Sequence, residues 1–326
     1  MTIISKLKES NLLGRGGAGF PTYLKWDLVK KAKGEKKYVV CNASEGEPCV
    51  FKDEHIIKNY PEELISGIVL AMNEVEALEA YIYLNKDYYS KYSSKLKKII
   101  GNKKIKLFKK QSGYIGGEES ALCESIEGKR AEPRFKPPYL AEKGLFDYPT
   151  LVNNVETFYY ASKIDKGEYG NTRFYSVNGD VLNPGVYELD ISLSMEEILK
   201  STDNYPGFDF YVQSGGGASG EIFLREELKS PCAGAGSITV YNKLKTDPFK
   251  LMETWIEFFA YGNCDKCLPC REGTYRLSEM IKSKKLDREL IKEILFSLES
   301  SSFCALGRGV PVPFRSFLKK VMEIEV

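Results

Sequence analysis

Cys264, Cys267 and Cys270 stand in a C-x2-C-x2-C run, and Cys304 follows beyond a helix-like stretch. Half of the eight cysteines therefore lie in the C-terminal region. Thiolates at this spacing can wrap one soft metal centre, three from a single tight segment and a remote fourth closing the last corner. A [4Fe–4S] cluster is the sharp reading, and tetrahedral zinc is the rival, because zinc also accepts four thiolates. Four unrelated buried cysteines would be the bland reading, but three so close together seldom arise from packing alone. Cys41, Cys49, Cys123 and Cys232 share no ligand spacing and read as structural thiols.

At 326 residues the chain exceeds what one hydrophobic core organises, so two or three domains are expected. The balance of 47 Lys+Arg against 45 Asp+Glu gives no reason to expect a nucleic-acid partner. The N-terminus lacks the apolar core of a signal peptide. No stretch reaches the roughly 20 apolar residues that span a bilayer. The expectation is a cytoplasmic protein with reduced thiols and no direct membrane insertion, although partner subunits can hold such a chain at a membrane face. His55 is the single histidine, which leaves Ser-His or Cys-His catalysis almost nothing to work with. Any chemistry here is expected to be carried by a cofactor.

Three regions separate by pattern. Residues 1–165 alternate strand-like runs (YVVCNA, LEAYIYLN, KIKLFKK) with helix-like ones (PEELISGIVLAMNEVEA, DYYSKYSSKLKKII), which predicts a parallel sheet flanked by helices. Residues 166–243 open on a predicted hairpin with an NG turn and a second NPG turn. A short helix and further strands follow, giving a small, mostly antiparallel α+β domain. Residues 244–326 carry four apolar-striped helices that predict a bundle, with the cysteine loop between its first two helices and Cys304 after its third.

Three loops could hold a nucleotide. Gly14-Arg15-Gly16-Gly17-Ala18-Gly19 lets the backbone approach a ligand and aim N–H groups at phosphate, with Arg15 and Lys25 adding positive charge. It is not the dinucleotide fingerprint, because no strand precedes it. Cys41–Pro48 follows a predicted strand, at the end where parallel sheets bind ligands. Gly113–Ser120 turns into a helix. Glu45, Glu47, Glu118 and Glu119 could read ribose, ribityl or nicotinamide groups, but each taken alone reads first as a helix N-terminal cap.

Taken together, GRGGAGFP with Lys25-Trp26, CNASEGEP with FKD, YIGGEESALCESIEG, PRFKPPY, PTLVNNVET and CxxCxxC with CALG resemble one family across most of the chain. That family is the NADH-binding flavoprotein subunit of respiratory complex I, with its counterparts in NAD(P)-linked hydrogenases, formate dehydrogenases and electron-bifurcating complexes. The resemblance implies a Rossmann-like α/β domain for FMN and NAD(H), a ubiquitin-like β-grasp α+β domain, and a C-terminal helical bundle with an iron–sulfur site. These correspond to residues 1–165, 166–243 and 244–326. By motif it places FMN at Gly14, Arg15, Gly16, Gly17, Lys25, Asn42, Glu45, Gly117, Glu118, Asn153, Asn154 and Thr157. It places NADH at Phe20, Glu47, Glu119 and Tyr139, with Phe20 and Tyr139 as stacking faces and Glu119 in the catalytic position. By themselves both aromatics read more naturally as core. The cluster ligands are Cys264, Cys267, Cys270 and Cys304.

The implied function is that of an electron-input subunit. It oxidises NADH, with NADPH as the alternative, through FMN, and passes single electrons to the cluster within a larger complex. A thioredoxin-like [2Fe–2S] subunit is the implied partner. The chain departs from the family pattern at Tyr23, Leu28, Ser44 and Cys49. A reading from another class is a non-catalytic scaffold that keeps the cluster and has lost nucleotide binding.

Overall fold

The computed structural model describes all 326 residues. They form two compact units. The first comprises Met1–Gly46, Phe51–Ser112 and Gly116–Arg173, and the second comprises Glu47–Val50, Gly113–Ile115 and Phe174–Val326.

The first unit is built on four parallel strands: β1 (Tyr38–Ala43), β2 (Glu79–Leu84), β3 (Ile105–Lys109) and β4 (Thr150–Asn154), in the order β3-β2-β1-β4. The helices are α1 (Ile3–Glu9), α2 (Thr22–Lys31), α3 (Lys52–Asn59), α4 (Pro61–Val75), α5 (Lys86–Ile100), α6 (Glu119–Ile126) and α7 (Val155–Asp165). Both faces of β1 and β2 are covered, so these strands are near-continuously buried, as parallel strands require. α4 begins with Pro61 in its first turn, where the missing N–H costs nothing. Gly67 of α4 has no room for a side chain, because a Cβ there would meet the Phe158 carbonyl oxygen of α7 at 1.9 Å. β4 is an element the periodicity did not reveal. Its sequence ends in two asparagines and so reads as a loop, but its register against β1 places Cys41 beside Asn153 and Asn42 beside Asn154.

The second unit carries a mixed five-stranded sheet of β5 (Thr172–Gly179), β6 (Gly185–Asp190), β7 (Phe210–Ser214), β8 (Glu221–Leu224) and β9 (Ser237–Asn242). The strand order is β6-β5-β9-β7-β8. β7 runs antiparallel to β8 and β9, whereas β5 runs parallel to β9. The Asn178-Gly179 pair is the end of β5 and not a hairpin turn. Gly179 takes φ 88° and lies so close to β9 that a Cβ would meet the Val240 oxygen at 2.1 Å. α8 (Met195–Ser201) starts with a reciprocal capping box between Ser194 and Glu197. The C-terminal helices are α9 (Pro248–Gly262), α10 (Leu268–Lys282), α11 (Arg288–Ser301), α12 (Ala305–Gly309) and α13 (Pro311–Lys320). Their shared core centres on Trp255, with Phe317 at 5.2 Å and Phe314 at 5.9 Å in edge-on contact. α10 begins earlier than its apolar stripe suggested, so Cys270 sits inside its first turn rather than in the preceding loop.

Candidate cofactor sites

In the first unit, β2 and β3 lie on one side of β1 and β4 on the other. The chain thus reverses its order across the β1/β4 boundary, and ligands bind parallel sheets at the carboxyl ends of strands flanking such a switch point. Asn42, Asn153 and Asn154 occupy those ends.

The glycine-rich turn lies against the same place. It is closed by Gly14 N–H donating to the Phe20 oxygen (2.9 Å), and Arg15 N–H donates to Thr157 Oγ1 (2.9 Å). A Cβ on Gly16 would stand 3.3 Å from the Asn154 Cβ, and one on Gly117 would stand 3.0 Å from Ser44 Oγ. Both glycines therefore line a cradle that a side chain would fill. Gly17 takes φ 107°, a left-handed conformation that disfavours other residues. Asn42 Nδ2 donates to the Gly117 oxygen (2.8 Å), and its Oδ1 accepts from Ser44 Oγ (2.7 Å). Asn153 Oδ1 accepts from Trp26 Nε1 (2.9 Å).

The charged residues divide. Lys25 pairs with Glu119 and also donates to the Val152 oxygen at 3.0 Å. The Arg15 guanidinium is held away by Tyr169 OH (3.1 Å), the Thr172 oxygen (3.4 Å) and the Tyr160 ring. Glu118 caps α6, accepting from Ser120 N and Ala121 N (2.9 Å each), and pairs with Lys136 at 2.8 Å. Burial works to raise its pKa, but Lys136 and Ser120 outweigh that and hold the carboxyl below its ordinary range. The Glu45 carboxyl accepts from Asp53 N (3.2 Å) at the start of α3 and from Tyr88 OH (2.7 Å). Burial first, and Asp53 second, push it up to about 8. Phe20 and Tyr139 are 42% and 59% exposed, so neither is core and both present faces for stacking.

Glu47 lies in the second unit. Its Oε1 accepts from Tyr114 OH (3.2 Å) and Ser219 OH, and its Oε2 accepts from Ala218 N (3.1 Å) and Ser219 N (3.4 Å). Those contacts occupy the carboxylate's lone pairs within this unit.

Sequence patterns gave no role to Lys52, Asp53 and Glu156. The structure buries them together beside Asn154. Lys52 Nζ lies 2.6 Å from Asp53 Oδ1 and 3.2 Å from Glu156 Oε2. The one available signal was FKD, a charged pair opening a helix shortly after the Cys41–Pro48 loop.

The four cysteines of the C-terminal pattern line one cavity, walled also by Ile115, Asn263, Asp265, Lys266, Phe303 and Leu306. Cys267 and Cys304 are the N-cap residues of α10 and α12. Burial, and then the neighbouring cysteines Cys267, Cys304 and Cys264, push the Cys270 thiol up to about 12. Four thiols around one shared space form the kind of donor set that holds an iron–sulfur cluster.

Comparison with known proteins matches the two regions that carry these residues. Residues 7–163 match the Nuo51 FMN-binding domain, and residues 250–324 match the NADH-ubiquinone oxidoreductase-F iron–sulfur binding region. The chain is 34% identical to the NADH-quinone oxidoreductase F subunit 2 of Rhizobium meliloti, over 97% of this chain and 86% of that one. The chain belongs to the family of NADH-quinone oxidoreductase F subunits. It is also 32% identical to the alpha subunit of the NAD-reducing hydrogenase HoxS of Cupriavidus necator, covering 99% of this chain and 60% of that one. A crystal structure of a NAD+-reducing [NiFe]-hydrogenase superposes with a TM-score of 0.89 at 29% identity, over 97% of this chain and 60% of that chain.

Proposed function

We propose that this family member is an NADH-oxidising flavoprotein subunit that takes electron pairs at a site in its first unit and delivers single electrons to an iron–sulfur centre in its second, within a larger redox complex. The observation that carries the reading is the glycine cradle at the β1/β4 switch point, with Gly16 against Asn154 and Gly117 against Ser44. When bound, FMN supplies the conversion of hydride to single electrons, and the cluster supplies a one-electron store. In this reading the Gly14–Gly17 backbone and Lys25 bind the flavin's polar tail, while Asn42, Asn153, Asn154 and Thr157 fix its orientation. Glu45 and Glu118 shape the cradle by capping α3 and α6, and the Arg15 guanidinium stiffens its far side. Phe20 and Tyr139 stack the nucleotide, and Glu119 shares Lys25 with it. Glu47 contributes by holding the Ala218–Ser219 turn. Cys264, Cys267, Cys270 and Cys304 hold a [4Fe–4S] cluster.

The finer assignments follow the same reading. We assign residues 1–165 to a Rossmann-like domain, 166–243 to a β-grasp domain and 244–326 to a cluster-bearing bundle. The parallel β5/β9 pair at the centre of the second sheet supports the β-grasp assignment. A thioredoxin-like [2Fe–2S] subunit is the proposed partner. No helix is long and apolar enough to cross a membrane, and all eight cysteines are unbridged, which suits the cytoplasm. Anaerobically purified protein tests the whole reading. Flavin, iron and sulfide in stoichiometric amounts, with NADH-driven reduction of an artificial acceptor, are expected. Iron and sulfide without any flavin would favour the scaffold reading.

A further inference from the structure

We propose that Lys52 is a positioning residue for the flavin site, acting through Asn154: it locks the orientation of the Asn154 side-chain amide so that a single N–H is left to donate to the flavin. The inference rests on the FMN reading above and goes further, to what sets the direction of one of its donors.

Asn154 makes every bond its geometry allows except one. Its Oδ1 accepts from Glu156 N (3.0 Å), as the N-cap of α7, and from Lys52 Nζ (3.2 Å). Two lone pairs are thereby used. Its Nδ2 donates one hydrogen to Asp53 Oδ2 (2.6 Å). Turning the amide over would set NH2 against an ammonium and a backbone N–H, and would set the carbonyl against a carboxylate, so all three contacts become repulsive. The remaining Nδ2 hydrogen belongs to the side chain whose Cβ packs under Gly16 in the cradle.

The lock is rigid because it is dry. Lys52, Asp53 and Glu156 are 2%, 2% and 0% exposed. Burial alone would lower the Lys52 pKa, but Asp53, Glu156 and Glu45 outweigh it, and the ammonium stays charged. One buried cation facing several carboxyls does little for net stability, since desolvation offsets the attraction. Specifying orientation is the use such a group is better suited to.

The test uses the full chain stripped of FMN, with its cluster intact, and reads FMN affinity by quenching of flavin fluorescence. The background is Glu156→Gln, in which removing Lys52 leaves the buried net charge as it is in the unaltered protein. Lys52→Met should weaken FMN binding about tenfold when Asn154 is present and should cause no further loss in an Asn154→Ala chain, as for two residues acting as one unit. Equal losses in both backgrounds would show a merely structural lysine and overturn the inference, as would no loss in either. Failure of the unaltered stripped protein to bind FMN would overturn the flavin reading, and the inference with it. An independent measurement needs no variant. In the unaltered protein the Asn154 side-chain amide should give one set of nuclear magnetic resonance signals, with one proton moved strongly by FMN and the other hardly at all. Two exchanging sets, or equal movement of both protons, would contradict the lock.

Discussion

The proposed flavin cradle and the cysteine cavity are assembled by opposite routes. The cradle is assembled from segments far apart in the chain: Arg15 N–H reaches Thr157 across 142 residues, and Asn154 bonds Asp53 across 101. Its walls are glycine backbone and amides, held by a buried network of charge. The cavity takes three of its four thiols from one short segment that starts α10, against an apolar wall of Ile115, Phe303 and Leu306. A site of hydrogen bonds needs long-range register to aim its donors. A site of covalent metal–sulfur bonds needs only that its ligands arrive, because the metal supplies the geometry.

If the cavity depends on its thiols alone, the largest effect comes from removing one. Cys304→Ser should abolish stoichiometric iron and sulfide while leaving FMN affinity intact. Cys232→Ser, which alters a thiol packed in a different core, should leave the iron content unchanged. Loss of iron in both variants would break the contrast.

If the cradle depends on bare backbone, Gly16→Val should weaken FMN binding by roughly 100-fold, the upper range of overpacking costs. Its Cβ would already crowd Asn154 at 3.3 Å, and a branched side chain adds two methyls beside that contact. Iron content is the control and should not change. Near-normal FMN affinity in this variant would place the flavin elsewhere.

The buried charge of the cradle should also make its stability depend on pH. An acid whose folded pKa is raised keeps a proton that the unfolded chain has already lost. For Glu45 the stabilisation is full below the ordinary value of 4.5 and is lost as the pH rises toward and through about 8. Denaturant midpoints of the flavin-free protein should therefore fall across that window, and Glu45→Gln should flatten the fall. A midpoint that rises with pH in the unaltered protein, and still rises in Glu45→Gln, would show that this carboxyl is not the controlling group.

The smallest effect is expected at Glu47. Its carboxylate lone pairs are engaged by Tyr114, Ala218 and Ser219, so it has little left for a ribose. NADH should be preferred over NADPH, and Glu47→Gln should change the ratio of their kcat/KM values by less than about threefold, below the worth of one neutral hydrogen bond. A larger shift toward NADPH would show that Glu47 repels the 2′-phosphate directly. A preference for NADPH in the unaltered protein would refute the assignment itself.

The two sites were not equally legible. The four cysteines that line one cavity could be read from spacing, because a metal site writes itself into local intervals between cysteines. The glycine turn and the asparagines were found by motif, and the exposure of Phe20 and Tyr139 removes the core reading that each had alone. Glu118 and Glu45 turned out to serve as the caps that any single glutamate in such a loop would be taken for.

The sequence by itself determined the alternation of strand and helix in the first region, the apolar-striped helices of the last, and the cysteine set. Each of these is a local pattern with a local physical cause: periodicity, capping or ligand spacing. Only the tertiary structure decided that Thr150–Asn154 is a strand beside β1, which aligns Asn42 with Asn154. Only it decided that Lys52, a charged residue at the start of a helix, is buried between two acids and an amide. Burial and register come from contacts between segments a hundred residues apart, and no local interval records them.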